Sequence, residues 1–340
     1  MDLIKYMATS RDKYMKKDRT VTTIIDAEKC IGCGLCIPVC PKQTLTLKDG
    51  KARITGDESL NCGHCAAACP EGAITVGRVD PRLAQFNTFT ASESWLPHGE
   101  FDTGALVNLM QSRRSCRNFK DQPVETDVLD DLVKIGITAP SGSNCQSWSF
   151  TLLPDRDAVM SLGRQVGLFF RKLNCTAEKA WLRTLLKMIN KPALANYYAN
   201  NYQTVKEAIH LWEREEKDIL FHGAAAVVVV GSRNDATCPS EDALLATQNI
   251  LLGAHAMGLG TCLIGYAIEA MRRNKSINRS IGLPDRETPY AVIALGYPDE
   301  TYKTVAGRKR VVLRYAQRPS SPGLCSTGFQ PCRSGLRDNL

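Results

Sequence analysis

The chain has 340 residues, 44% apolar and 23% charged, with a formal net charge of +8. This ordinary globular balance excludes a disordered, collagen-like or coiled-coil chain. The longest apolar run, Ala224 to Val230, is seven residues, against about 20 for a membrane helix. No membrane is expected as a partner. No nucleic acid is expected either, because the basic residues form no long array interleaved with aromatics. In chain order, residues 1–21 form a basic leader with six Lys/Arg and three Asp, expected as a flexible, solvated terminus. It lacks the apolar core of a secretory signal, and its acids count against a transit peptide.

The next segment, 22–80, is cysteine-rich. Seven of the fourteen cysteines (Cys30, Cys33, Cys36, Cys40, Cys62, Cys65 and Cys69) fall within 40 residues. Gaps of two and three residues argue for metal ligation in a reducing compartment. Cys-Gly-x-Cys followed by three residues and Cys-Pro occurs at Cys33 to Pro41 and again at Cys62 to Pro70. An offset of 29 residues points to duplicated halves of one unit. The run Cys30-x-x-Cys33-x-x-Cys36-x-x-x-Cys40-Pro41 has the spacing of bacterial ferredoxins. A third cysteine at the same gap and the repeated Cys-Pro argue against a structural zinc site.

Residues 22–80 therefore resemble the two-[4Fe-4S] ferredoxin domain. The resemblance implies one cluster on Cys30, Cys33, Cys36 and Cys69, and a second on Cys40, Cys62 and Cys65. The second cluster's fourth ligand is expected at position 59, which is Ser59. A serine oxygen on iron, a three-iron cluster or an exogenous ligand would each fit this departure. The second cluster is expected to be present but altered in potential or stability.

A polar linker over 81–100 leads to a large domain over 101–317. Val128, Leu129, Leu132, Val133 and Ile135 have helical spacing and predict a helix over Asp127 to Ile137. Ser147 to Leu153 alternates like a strand. Val159 to Leu220 reads as mostly helical and rich in aromatics, interrupted at Lys191-Pro192. Its aromatics, among them Phe170, Trp181, Tyr197 and Tyr198, are expected mainly in the core, with a lid over a substrate pocket as the other use. Ala224 to Val230 and Tyr290 to Leu295 read as buried strands. Ser240 predicts the N-cap of a helix that runs to about Met257 and stops at Gly258. The tail, 318–340, is rich in Ser, Pro and Gly and is expected to be flexible. Strands alternating with helices indicate a mixed α/β or α+β layered fold, and α+β is the expected class.

Three stretches of the large domain carry polar chemistry. Ser112-Arg113-Arg114-Ser115-Cys116-Arg117 concentrates guanidinium and hydroxyl groups suited to phosphate. Ala139 to Trp148 is a turn rich in amides and hydroxyls, and Gly258 to Gly265 places backbone amides beside apolar side chains. In this order they resemble the nitroreductase family of FMN flavoproteins, from about Phe101 to Tyr315. The whole chain then reads as a small ferredoxin-like iron–sulfur domain followed by a nitroreductase-like, FMN-binding mixed-sheet domain.

The resemblance implies that Arg113, Ser115 and Arg117 hold the FMN phosphate and ribityl chain. It implies that Ser141, Gly142 and Asn144 reach the flavin from a partner subunit. Ile264 and Gly265 would lie along the pyrimidine edge and offer backbone N–H groups, and Arg308 and Arg310 would form a late basic pair on the phosphate. Family members are homodimers, so the same is expected here. No obligatory catalytic side chain is implied, because the cofactor carries the chemistry. The expected activity is an oxidoreductase passing electrons from iron–sulfur clusters, or from NAD(P)H, through FMN to nitro compounds. A reduced ferredoxin is a candidate donor and a quinone-like molecule the alternative acceptor; an electron-transfer or redox-sensing module is the other class of reading. The expected location is the cytoplasm of an anaerobic or microaerophilic cell. Cys116 and Cys145 read as buried thiols, and His222 and His255 as packed histidines.

Overall fold

The computed structural model describes residues 19–316. Most of the basic leader and all of the Ser/Pro/Gly-rich tail lie outside the described residues. Contacts divide the described chain into one unit ending at Val305 and a second beginning at Ala306.

The cysteine-rich segment is built from short pieces. Strands β1 (Thr23–Ile25) and β4 (Ile74–Val76) pair antiparallel, and so do β2 (Leu45–Lys48) and β3 (Lys51–Ile54). A single helical turn, α1 (His64–Ala67), carries Cys65. The backbone threads tightly here. Gly32 has a φ of +75°, and a Cβ at that position would lie 2.0 Å from the Gly50 carbonyl oxygen, so only glycine fits.

Within residues 81–100, the short stretch 85–88 is tied to a helix of the sheet region. Asp131, fully buried in α3 (Thr126–Gly136), accepts from the Asn87 N–H at 2.8 Å, the Thr88 N–H at 2.7 Å and the Thr88 hydroxyl at 2.7 Å. Lys134, one turn on, bonds the Gln85 carbonyl at 2.7 Å and the same carboxylate at 3.3 Å. Burial alone would push the Asp131 carboxyl up, but these donors hold it below its ordinary value.

The larger part is a sheet packed on both faces. Among the described residues it has four strands, in the order β5 (Trp148–Leu153), β6 (Ala226–Arg233), β8 (Glu287–Gly296), β7 (Gly260–Leu263). The named strands pair antiparallel, and a parallel bridge from Ser115 to Thr261 makes the sheet mixed. Strand β6 explains its own sequence. Val227 and Val229 face one apolar layer; Ala226, Val228 and Val230 face the other. Both faces are dry, so the strand reads as a continuous apolar run rather than an alternating one.

Helix α3 and α8 (Pro239–Ala256) cover one face. The other face is covered by α4 (Arg156–Ala177) and α9 (Gly265–Arg273), with α10 (Lys275–Ser280) following. Helices α2 (Thr103–Ser112), α5 (Ala180–Met188), α6 (Ala193–Asn200) and α7 (Tyr202–Glu215) complete the set.

Several expectations shift. The long helical stretch divides into α4 to α7, and Lys191-Pro192 falls between α5 and α6 because proline removes an N–H that a continuous helix needs. Helix α8 is capped by Cys238, not Ser240. Pro239 takes its first position, where a missing N–H costs nothing, and the Ser240 hydroxyl bonds Glu241 instead. Of the aromatics expected mainly in the core, Phe170 is buried, whereas Trp181 and Tyr198 are exposed.

Candidate functional site

Chemistry-bearing residues gather at four cavities. Cys30, Cys33, Cys36 and Cys69 line one, together with Ala52 and Ala73. Cys40, Cys62 and Cys65 line another, with Ser59 completing the ring. The sulfurs are held by backbone amides: Ala52 N–H donates to Cys30 Sγ at 3.4 Å, Thr44 N–H to Cys40 Sγ at 3.4 Å and Ala73 N–H to Cys69 Sγ at 3.2 Å. Such donors stabilise electron-rich thiolates on iron. Among the described residues, no three His, Cys, Asp or Glu groups converge as a single metal ion would need. The two sets of thiols each line a small cavity. Ser59 is buried, and its hydroxyl accepts from the Asn61 N–H at 3.0 Å.

The third cavity, of about 970 Å³, opens beside β7 and α9. That size is ample for a cofactor and a small substrate together. Arg117, Cys262, Ile264 and Gly265 line it from the sheet side. Lys191, Asn196 and Tyr197 line it from the helical stretch, so α5 and α6 form part of its wall. The register explains the convergence. Ala226, Leu295 and Thr261 stand side by side across β6, β8 and β7. The loop before β6 and the Ser115–Arg117 stretch, bridged to Thr261, therefore reach the same end of the sheet.

Arg117 is exposed, with one guanidinium N–H on the Ser115 carbonyl at 3.5 Å, and it presents a cation to the cavity. Arg113 caps the C-terminal end of α2, and its charge reaches His255. The Ile264 N–H donates to the Val292 carbonyl at 2.9 Å, continuing the β7–β8 pairing. Gly265, at the first position of α9, has an N–H that no partner inside its helix takes.

The fourth cavity, about 550 Å³, is polar and includes Ser143, Asn144, Gln146 and Ser147. Ser143, Asn144 and Gln146 all have positive φ, of 57°, 54° and 46°. Left-handed backbone at three non-glycine positions costs energy and marks a turn held by its surroundings. Asp242 of α8 does much of that holding. It accepts from the Gly142 N–H at 2.9 Å and the Cys145 thiol at 3.3 Å, and its carbonyl takes the Trp148 indole N–H at 3.1 Å. A Cβ on Gly142 would meet Thr237 at 2.9 Å and Cys238 Sγ at 3.0 Å. The Ser141 hydroxyl accepts from the Gln146 N–H at 3.0 Å.

The residues expected to bind flavin thus fall in two groups. Arg117, Ile264 and Gly265 share one cavity, and Asn144 lies in the other. Arg308 and Arg310 belong to the second unit, where both are exposed and Arg308 bonds the Ala306 carbonyl at 2.9 Å.

His222 was read as a packed histidine but lines the larger cavity. Its φ is +58°, and burial followed by the Arg117 charge pushes its pKa down. Asp218 shapes its loop by accepting from the N–H groups of Leu220, Phe221 and Gly223, and pairs with Arg156 at 2.7 Å. Cys116 is buried and its thiol is pushed up to about 11 by desolvation, an unreactive thiol as expected.

Residues 110–297 match the nitroreductase family, and residues 29–73 match the 4Fe-4S dicluster domain. The chain belongs to the nitroreductase family. It is an oxidoreductase whose cofactors are FMN and 4Fe-4S clusters. A 4-nitrobenzoate reductase of Nocardioides sp. is 23% identical over 57% of this chain and 81% of its own length. An iodotyrosine deiodinase of Thermotoga neapolitana is 23% identical over 62% of this chain and 97% of its own. Among solved structures, a nitroreductase with bound FMN from Bacteroides fragilis covers 62% of this chain and 98% of its own, at 19% identity and a TM-score of 0.43. Among the described residues, no helix is long and apolar enough to cross a membrane.

Proposed function

We propose that this chain is a ferredoxin-fused nitroreductase that passes electrons from its iron–sulfur clusters, or from a nicotinamide donor, to nitro compounds. The observation that carries this reading is the partition of the cysteines. Seven thiols and Ser59 divide between two cavities in the sets a two-cluster ferredoxin uses, in the same chain as a cofactor-sized cavity. An attached electron carrier makes reduced ferredoxin a natural donor.

Arg117 offers a permanent cation to a phosphate, and Arg113 and Ser115 would extend that cradle along the bridge to Thr261. FMN, when bound, supplies the exchange between one-electron and two-electron chemistry. The nitro group takes two electrons and two protons to become nitroso with loss of water, and a second pair gives the hydroxylamine. The protein's part is to orient the acceptor, and the wall built from Lys191, Asn196 and Tyr197 serves that role. The separation of Asn144 from Arg117 supports a homodimer, in which a second copy brings the two groups together. We place the enzyme in the cytoplasm of an anaerobic or microaerophilic cell.

The test is anaerobic stopped-flow spectroscopy of the fully reduced, FMN-loaded protein mixed with a nitrofuran or nitroimidazole. Fast flavin re-oxidation with a hydroxylamine product is expected. Re-oxidation by quinones alone would replace the nitro acceptor with a quinone.

A further inference from the structure

The two cysteine cavities differ in what lies behind them. The one ringed by Cys30, Cys33, Cys36 and Cys69 is lined wholly from within residues 30–74. Its surroundings are open: Cys33 is exposed, as are Ile31 and Leu35. The cavity of Cys40, Cys62 and Cys65 has a wall of Ser59, Leu60 and Asn61, and those same three residues also line the polar cavity of the Ser143–Ser147 turn. One three-residue wall separates a cluster site from the turn expected to face flavin.

That wall is fastened from both sides. The Asn144 side-chain amide donates to the Leu60 carbonyl at 3.0 Å and the Asn61 carbonyl at 3.3 Å. Asn61 is buried and has a φ of +50°. Its side-chain oxygen accepts from the Thr22 hydroxyl at 2.9 Å, its side-chain amide donates to the Thr20 carbonyl at 3.0 Å, and its N–H donates to the Ser59 hydroxyl at 3.0 Å. The serine at the fourth corner is thus held by a residue that is itself held by the turn. Both asparagines have left-handed backbone, a conformation that persists only when surroundings enforce it.

We propose that the Ser59–Asn61 segment is the electron outlet of the ferredoxin-type region, and that Asn61 and Asn144 are positioning residues that hold it against the Ala139–Trp148 turn. Electrons then enter at the exposed Cys33 side and leave at the Ser59 side. Each electron lost by the cluster beside Ser59 is gained by the flavin, and two such events supply one acceptor reduction. This rests on the function proposed above.

The test is anaerobic flash photoreduction, with a photoexcited deazaflavin as reductant, of protein loaded with clusters and FMN. Flavin absorbance follows electron arrival, and rapid-freeze EPR follows each cluster. Asn144→Gly removes both bonds to the wall, and Asn61→Gly removes the ties to Thr20 and Thr22. Glycine accepts positive φ in both cases. In N144G the cluster signals should persist while the cluster-to-flavin phase slows roughly tenfold or more, as loosened positioning predicts. In N61G the EPR signature and potential of the cluster beside Ser59 should change, with the other cluster unaltered.

A cluster-to-flavin phase at the wild-type rate in N144G with both cofactors bound would overturn the proposal. So would an N61G effect confined to the cluster on Cys30, Cys33, Cys36 and Cys69. If N144G binds too little flavin to follow, the N61G spectrum decides. Absence of any cluster-to-flavin transfer in the unmutated protein would instead overturn the function on which the inference rests.

Discussion

The two halves of this enzyme solve the problem of a stable interior differently. The cysteine-rich region has four strands of three or four residues, and its apolar cluster counts Cys30, Cys36 and Cys65 among its members, beside Leu45, Ile74 and Val76. Here the proposed iron ligands are core residues. The sheet region buries Val227, Val229 and Val292 in one layer and Val228, Ile293 and Leu295 in another, and keeps its polar chemistry at one end of the strands and in one turn. A segment too small for a full apolar core gains stability from metal bonds, whereas a large one can place function at its rim.

The sharpest way to break this comparison is at a ligand. Cys65→Ser should remove about half of the iron if each cluster takes half of it. It should also strip hydrogen-exchange protection from β1 to β4 while β5 to β8 keep theirs. Equal loss in both regions would show that they unfold as one, and the contrast would fall. Ser59→Cys probes the other direction and should raise the iron content or oxygen tolerance of the second cluster, measured by iron assay and EPR.

Next in size is the latch that joins the connecting segment to the sheet region. Asp131→Ala leaves the Asn87 and Thr88 donors without their acceptor and should cost about 3 kcal/mol in denaturant unfolding. The pH dependence has a fixed sign. The Asp131 carboxyl titrates below its ordinary 3.8 when folded, so its contribution is present above that value and is lost as the pH falls through the folded pKa. Asp131→Asn should flatten that part of the acid limb, and an unchanged limb would remove Asp131 from the account.

Arg117→Ala tests the rim. Loss of one charge-assisted contact is worth about 2 kcal/mol, or roughly 30-fold in FMN affinity by fluorescence titration. Iron content and β1–β4 protection should stay unchanged. The smallest effect is expected at Gly142→Ala, where the new methyl must displace Thr237 and Cys238. We expect a cost of about 1 kcal/mol, read as a fall in Tm of about 2–4 °C.

Local signals carried far in this chain. The cysteine spacing singled out all seven thiols that line the two cavities, and the resemblance to two-cluster ferredoxins implied the division between them. The apolar run at Ala224 to Val230 and that at Tyr290 to Leu295 each fall on a strand buried on both faces. The α3 helix followed from five apolar positions at helical spacing. The start of α8 differs from the expected Ser240 because Pro239 also favours a helix start, and its missing N–H suits the first helical position.

What the sequence by itself determined is what spacing and periodicity encode: the clustered cysteines, the doubly buried strands and the helix faces. Those depend on neighbours within a few residues. Only the tertiary structure decided that Asn144 bonds the Leu60 carbonyl, 84 positions away, and that Asp242 holds Gly142 across 100 positions. It alone placed His222 in the cavity of Arg117, and put Arg117 and Asn144 in separate cavities. The strand order β5-β6-β8-β7 sets which loops meet at an end of the sheet. That order is fixed by burial and pairing over the whole chain, which no local pattern records.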